Sequence, residues 1–342
     1  MNTPRVLLVV GTGGTIAGQA ASAHDAIGYQ AGVVPVAHLL DGVPLPPGWS
    51  VRTQQVANLD SKDMGPPVWQ ALLDAVAQAL QMPDVGAIVV THGTDTLEET
   101  AWLLQAALAP QRPVVLTGAM RPASALAPDG PQNLADAVTL ACDARAQAAG
   151  GVWVTLAARV FDAAAVRKEH ATRLDAFGAG DAGPAGWVEG GRVRWCAAAE
   201  GLVAAMRALV PAAPLPPRAW RSSPWPRVEW ISSHAGADGA LVRALLRQRE
   251  AALRGEDADA PLQGLVVAGT GNGSVHAELA QALQQAAQAG VVVWLTTRCA
   301  QGVVVSGSHG RAVHAWPVTP LPPAKARVAL QLQLMAAAAP RG

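Results

Sequence analysis

Val6-Leu7-Leu8-Val9-Val10-Gly11-Thr12-Gly13-Gly14-Thr15 begins as an uninterrupted apolar, β-branched run and stops in glycine and threonine. A short continuous apolar run closed by glycine reads as a strand buried on both faces, as in a parallel sheet covered by helices. Farther along, Ala87-Ile88-Val89-Val90 runs into Thr91-His92-Gly93-Thr94-Asp95-Thr96 in the same way. In open α/β sheets, ligands bind in the crevice beyond the carboxyl ends of the strands. Two hydroxyl-rich loops at such ends predict a shared crevice and nucleophilic chemistry.

Working outward, apolar runs alternate with amphipathic stretches, the pattern of βαβ units. Strands are expected at 5–10, 87–91, 113–117, 151–156, 228–233, 264–268 and 291–296. Helices are expected at 68–81, 97–109, 132–148, 199–209, 239–253, 275–289 and 325–338. The fold class is α/β: a larger N-terminal domain with a mainly parallel sheet flanked by helices, plus a smaller C-terminal α/β domain. A chain of 342 residues exceeds the usual size of a single core, which predicts two domains. The proline-rich stretch 211–226 favours extended chain over packing and marks a linker between a catalytic domain at 1–210 and a smaller domain at 227–342. The Ala-rich tail at 336–342 is expected to fray.

Composition narrows the function classes. Lys plus Arg and Asp plus Glu both number 25, and no basic block is present, which argues against nucleic acid as a partner. No apolar stretch is long enough to span a bilayer, and residues 1–5 lack the character of a signal peptide. The three cysteines, Cys142, Cys196 and Cys299, are odd in number and widely spaced. That spacing argues against a disulfide framework or a structural zinc site and is consistent with a reducing, cytoplasmic setting. His92 and His170 match no metal-ligand spacing, and no metal site is expected.

Threonine is a weak nucleophile that needs a base within reach and donors aimed at the oxyanion it creates. Gly13 and Gly14 let the backbone turn sharply and bare its amides near Thr15. The small residues of 17–30, with Gly18, Ser22 and Gly28, suit a lid. That lid carries Tyr29, the only tyrosine beside 11 tryptophans; a phenol acts as a general base when its pKa is lowered, and the alternative is that Gly11–Thr15 is a tight turn and Tyr29 a residue of its rim. Thr96 followed by Glu99 forms a capping-box pattern, so Thr94 and Asp95 precede a helix N-terminus that offers amide donors. There Asp95 either partners the helix dipole or binds a substrate ammonium, and Thr94 either orients a water or attacks. Of the 25 basic residues only Lys62, Lys168 and Lys325 are lysines. Where arginine is the default cation, Lys168 is either an amine kept because it can pass on a proton or a solvated surface lysine. Ser61, in Asn58-Leu59-Asp60-Ser61-Lys62-Asp63-Met64, follows a further expected strand and either holds a carboxylate or caps a turn. His92 reads as a packed loop residue, and Trp69, Trp102, Trp153 and Trp294 as core or interface.

Gly11-Thr12-Gly13-Gly14-Thr15-Ile16-Ala17-Gly18 and Thr91-His92-Gly93-Thr94-Asp95-Thr96-Leu97-Glu98-Glu99-Thr100, with Gly118-Ala119-Met120-Arg121-Pro122, Asp129-Gly130-Pro131 and Gly271-Asn272-Gly273, resemble the bacterial-type L-asparaginase family over nearly the whole chain. The resemblance implies hydrolysis of L-asparagine to L-aspartate and ammonia through a threonine acyl-enzyme, with Thr15 as nucleophile, Tyr29 as its lid-borne partner and Thr94, Asp95 and Lys168 as a second triad. It implies substrate binding by Gly14, Asp60, Ser61, Gly93, Thr94, Asp95, Ala119 and Asn272, Ser61 and Asp95 taking the α-carboxylate and α-ammonium. It further implies a small amino-acid substrate, no cofactor, and a homo-oligomer: a dimer, or a tetramer of tight dimers.

Two features depart from the family pattern. Lys62 stands where relatives carry a group that accepts from the substrate ammonium. No Asp or Glu follows Glu278, so the glutamate that a neighbouring subunit supplies in the family has no counterpart. Glutaminase-asparaginase activity and a non-catalytic amino-acid sensor are therefore the rival readings.

Overall fold

A computed structural model describes residues 5–22, 24, 28–196, 214–305 and 316–338. The chain divides into two units, Met1–Pro214 and Leu215–Gly342. The helix expected at 199–209 lies outside the described residues, as do 211–213 of the proline-rich stretch and the end of the alanine-rich tail.

In chain order, the first unit contains β1 (Arg5–Gly13), β2 (Gln19–Ala20), β3 (Tyr29–Gln30), α1 (Val36–Leu39), β4 (Trp49–Leu59), α2 (Pro66–Gln81), β5 (Val85–Thr91), α3 (Leu97–Leu108) and β6 (Val114–Thr117). After these come α4 (Gly130–Cys142), α5 (Ala144–Ala149), β7 (Val152–Leu156), β8 (Arg159–Asp162), β9 (Arg167–Lys168), β10 (Phe177–Gly178), β11 (Gly186–Glu189) and β12 (Arg192–Trp195). Eight strands form one sheet in the order β12-β11-β8-β7-β6-β5-β1-β4. From β4 to β7 the pairing is parallel, and β8, β11 and β12 extend the sheet as antiparallel neighbours. Val6–Val10 and Ala87–Val90 are all buried, as strands covered on both faces must be.

Chain order crosses the sheet in opposite directions on either side of β1. From β1 the chain proceeds to β4 on one flank, then returns through α2 to β5 on the other. The carboxyl ends of β1 and β5 therefore lie side by side at a topological switch point, with Gly11 in register with Thr91. There Gly13 and Gly14 carry φ values of +98° and +81°. The tail of β1 lies on the backbone of β4, where a Cβ at Gly13 would meet the Leu59 nitrogen at 2.5 Å and its carbonyl oxygen at 2.6 Å.

Two expectations for this unit are corrected. The helix expected at 132–148 is two helices, because Asp143 is extended and its carboxylate caps the second by accepting from the Arg145 and Ala146 amides. Thr96 occupies the N-cap position of α3, yet its side chain makes no capping bond; its hydroxyl donates to the Ser61 carbonyl at 2.7 Å instead.

The second unit places α6 (Pro217–Arg221) before β13 (Arg227–Ser232), α7 (Ala240–Leu253), β14 (Leu262–Gly269), α8 (Ala277–Gln288), β15 (Val292–Thr297) and α9 (Pro323–Ala338). Its three strands are parallel in sequence order over a core that includes Val242, Leu265, Val267, Leu279, Leu283 and Leu295. Where composition predicts extended chain, Pro217–Arg221 is helical and buries Ala219 and Trp220. Two prolines at the start of this turn cost little, since the first helical amides have no intrahelical acceptor. No helix among the described residues is long and apolar enough to cross a membrane, and Cys142, Cys196 and Cys299 are unpaired.

Gly13→Ala should lower stability by about 2 kcal/mol or more, because a left-handed φ and a backbone collision add together. A denaturant titration of the variant against wild type checks this.

Candidate active site

Gly14 lies against Gly93. A Cβ on Gly14 would run into the Gly93 nitrogen and Cα, and one on Gly93 would meet the Ser61 hydroxyl at 2.6 Å. Three loops, after β1, β4 and β5, therefore meet where none of them tolerates added bulk. Thr15 and Thr94 follow these glycines directly and are 6% and 5% exposed.

Thr15 Oγ1 and the Tyr29 hydroxyl are 2.5 Å apart. Tyr29 returns to Thr15 because β2 and β3 pair antiparallel, Ala20 opposite Tyr29. Its ring also lies over Gly18, where a Cβ would meet Tyr29 Cδ2 at 2.7 Å. The chain after β6 braces this ribbon: the Ala123 amide donates to the Gly18 carbonyl at 3.0 Å and the Ala20 amide to the Ser124 hydroxyl at 2.7 Å. Burial raises the Tyr29 pKa, the bond to Thr15 works the other way, and the Asp60 and Asp95 carboxylates raise it further. The base function expected of a phenol with a lowered pKa is thus modified, since Tyr29 meets Thr15 as a neutral phenol.

On the neighbouring loop, Lys168 Nζ donates to Thr94 Oγ1 at 3.0 Å and to Asp95 Oδ1 at 2.6 Å. The Asp95 amide donates to the Ser61 hydroxyl at 3.2 Å, so Ser61, only 1% exposed, joins the loop after β4 to the start of α3. Asp60 caps the turn at Ser61–Asp63 and accepts from the Lys62 amide at 3.4 Å. The ammonium of Lys62 is engaged by the Asp63 carboxylate, whose hydrogen bond holds it above its ordinary pKa. Ala119 is fully buried in the loop after β6, where Asp129 accepts from the Met120 and Arg121 amides at 2.9 Å each. Asn133 ties that loop down, donating to the Gly118 carbonyl at 3.0 Å.

Thus Gly14, Thr15, Tyr29, Asp60, Ser61, Gly93, Thr94, Asp95 and Lys168 are joined by these contacts or adjoin them in the chain. Ala119 follows Gly118, whose added Cβ would meet the His92 carbonyl. Asn272 belongs to the second unit, in the turn after β14, where its side chain donates to the Val305 carbonyl at 2.9 Å and accepts from the Val305 amide at 2.7 Å. His170 is exposed and accepts from the Thr172 and Arg173 amides. Among the described residues, no group of three or more His, Cys, Asp or Glu is placed to hold a metal ion. Sequence reasoning missed Glu98, which passed as filler between Thr96 and Glu99 although its carboxylate accepts from the Lys168 amide at 2.8 Å. It also missed the brace from Ser124. No local spacing signals either contact, because the partners are 70 and 104 residues away.

Chemically the arrangement offers two buried hydroxyls, each with its own proton partner, and beside them a corner with two carboxylates, Asp60 and Asp95. An ammonium group suits that corner, and the amides at the start of α3 suit an anion.

His92 is fully buried. Its Nδ1 lies 2.7 Å from the Gly93 carbonyl and so carries the proton, and its Nε2 has no hydrogen-bond partner among the described residues. Burial lowers its pKa from 6.5 to about 4, against a smaller opposing effect of the Gly93 carbonyl. The unfolded chain therefore binds the extra proton first as pH falls below 6.5, and the folded state loses stability until about pH 4. At pH 5 the loss from this one group should be about 2 kcal/mol relative to pH 8. Denaturant midpoints between pH 8 and 4.5 check this; a His92→Gln variant should lack that part of the slope.

Known proteins resemble the chain over most of its length. A family model described as "Asparaginase, N-terminal" matches residues 6–200, and one described as "Glutaminase/Asparaginase C-terminal domain" matches residues 227–341. L-asparaginase 2 of Escherichia coli is 32% identical over 331 residues, covering 96% of this chain and 88% of that protein. A glutaminase-asparaginase of Pseudomonas aeruginosa is 33% identical over 296 residues, covering 84% and 74%. A crystal structure from Campylobacter jejuni, of a protein named as a probable cytoplasmic L-asparaginase, superposes with a TM-score of 0.81 at 30% identity and covers 96% of this chain and 95% of that one.

Proposed function

Because the chain belongs to the bacterial-type asparaginase family, we propose that it hydrolyses the side-chain amide of L-asparagine to L-aspartate and ammonia through an acyl-enzyme on Thr15. The observation that carries this reading is the pair of hydroxyl systems, Thr15 with Tyr29 and Thr94 with Lys168, on the ends of adjacent parallel strands.

In the first step Thr15 Oγ1 bonds to the amide carbon while its proton passes to the Tyr29 oxygen. A phenol with a raised pKa works as a relay, releasing its own proton toward the departing nitrogen as it takes the new one. The C–N bond then breaks and ammonia leaves. In the second step a water oriented by Thr94 and Lys168 attacks the ester, aspartate departs and Thr15 regains its proton. Asp95 takes the α-ammonium and Ser61 the α-carboxylate, with Asp60, Gly14, Gly93 and Ala119 shaping the pocket. The pairing of Lys62 with Asp63 supports full use of Asp95 by the substrate, since an engaged ammonium repels its neighbour less.

We place the enzyme in the cytoplasm, as a homotetramer of tight dimers. The three unpaired cysteines support the location, and the family resemblance supports the assembly. Glutamine is the second substrate to test. One methylene is worth only about 1–3 kcal/mol of discrimination, and one of the relatives above is named a glutaminase-asparaginase.

Lys168→Met should lower kcat by about 10²- to 10⁴-fold with the fold intact, the range typical of a lost general acid–base partner, and Thr15→Ala, which removes the nucleophile itself, by at least as much. Ammonia release from L-asparagine, D-asparagine and L-glutamine, assayed side by side, checks this. Near-normal release by Thr15→Ala would remove Thr15 from the mechanism. Saturable aspartate binding with no release by the wild type would make the protein a sensor.

A further inference from the structure

Lys168 lies on a strand of two residues, β9, which among the described residues forms a two-stranded sheet with β10, Phe177 opposite Lys168 and Gly178 opposite Arg167, continued by the Glu169 and His170 amides, which donate to the Ala176 carbonyl. So short a ribbon fixes its own position weakly. In an antiparallel pair, alternate amides point away from the partner strand, and the Lys168 amide points at α3, donating to Glu98 Oε2 at 2.8 Å. Glu98 is the second residue of α3, one helical turn beyond Thr94. Backbone and side chain of the same lysine therefore grip the same helix start, the amide through Glu98 and the ammonium through Thr94 at 3.0 Å and Asp95 at 2.6 Å. This closes a ring from Thr94 through α3, Glu98, the Lys168 amide and the Lys168 side chain back to Thr94.

We propose that Glu98 is a positioning residue, whose carboxylate holds the Lys168 backbone at the height from which its ammonium reaches Thr94. The inference rests on the reading of Thr94, Asp95 and Lys168 as catalytic. What it requires of Glu98 is reach and an acceptor oxygen, not charge. Glutamine supplies both. Aspartate keeps the charge, and with it the favourable interaction with the helix N-terminus, but is one methylene too short. A purely electrostatic role for Glu98 predicts the reverse order of these two variants.

The test is steady-state hydrolysis of L-asparagine by wild type, Glu98→Gln and Glu98→Asp, with melting curves for each. Glu98→Ala serves as the second variant without reach should Glu98→Asp melt below the assay temperature. Glu98→Gln should keep kcat within about threefold. Glu98→Asp should lose about tenfold to a hundredfold in kcat with little change in KM, the scale of loss expected from ångström-level misplacement of a catalytic group. In a Lys168→Met background the same Glu98→Asp change should cost nothing further, since its only route to the reaction has gone. Wild-type kcat in a folded Glu98→Asp protein, an equal loss in Glu98→Gln, or a full additional loss on top of Lys168→Met would each overturn the proposal. A wild type that releases no ammonia would instead overturn the catalytic reading on which it rests, and the proposal with it.

Discussion

Contact without side chains between the loops after β1 and β5 is the constraint on which the rest of the site depends. Gly14 and Gly93 approach backbone to backbone, and Ser61 fills the space that a side chain at Gly93 would take. A Cβ at Gly14 would push apart the strand ends that carry Thr15 and Thr94, and one at Gly93 would collide with Ser61. The reactive hydroxyls are close because the residues before them are small, and they stay close because the strands beneath are parallel neighbours in a sheet buried on both faces. Rigid elements of this kind hold a constellation more closely than free loops do.

Around that contact the site divides into two proton systems of different build. Thr15 and Tyr29 are close in sequence and are joined through a two-stranded ribbon that the chain after β6 braces from outside. Thr94 and Lys168 are 74 residues apart and meet because β9 runs past the start of α3. The acidic corner beside them, Asp60 and Asp95, raises the Tyr29 pKa further and offers an ammonium group a place. In the proposed reaction one electrostatic arrangement would serve recognition of an ammonium and add to the burial that opposes ionisation of the phenol.

Much of this was legible in the residues. Val6–Val10 and Ala87–Val90 read as buried strands and are so, each leading into a loop rich in glycine and threonine, although β1 continues through Gly11 to Gly13 and β5 through Thr91. Two such strands carrying two hydroxyl-rich loops predicted a shared crevice; that β1 and β5 flank a switch point came only with the strand order. Less legible was whatever depends on distant partners. A helical pattern over 132–148 hid the break at Asp143, because Asp143 finds the Arg145 and Ala146 amides in an extended conformation that periodicity does not register. The capping box at Thr96 misread a hydroxyl that Ser61 claims from another loop. Glu98 carried no signal, since an acid in the first turn of a helix is ordinary until its acceptor role for a remote strand is seen. The raised pKa of Tyr29 arises from burial, which sequence does not report.

Where the acyl group resides tests the account most directly. Wild-type protein mixed with L-asparagine, quenched in acid during turnover, digested and weighed should carry one aspartyl group on the fragment containing Thr15 and none on the fragment containing Thr94. An aspartyl group on the Thr94 fragment would contradict the account, because the two hydroxyl systems would then have exchanged roles.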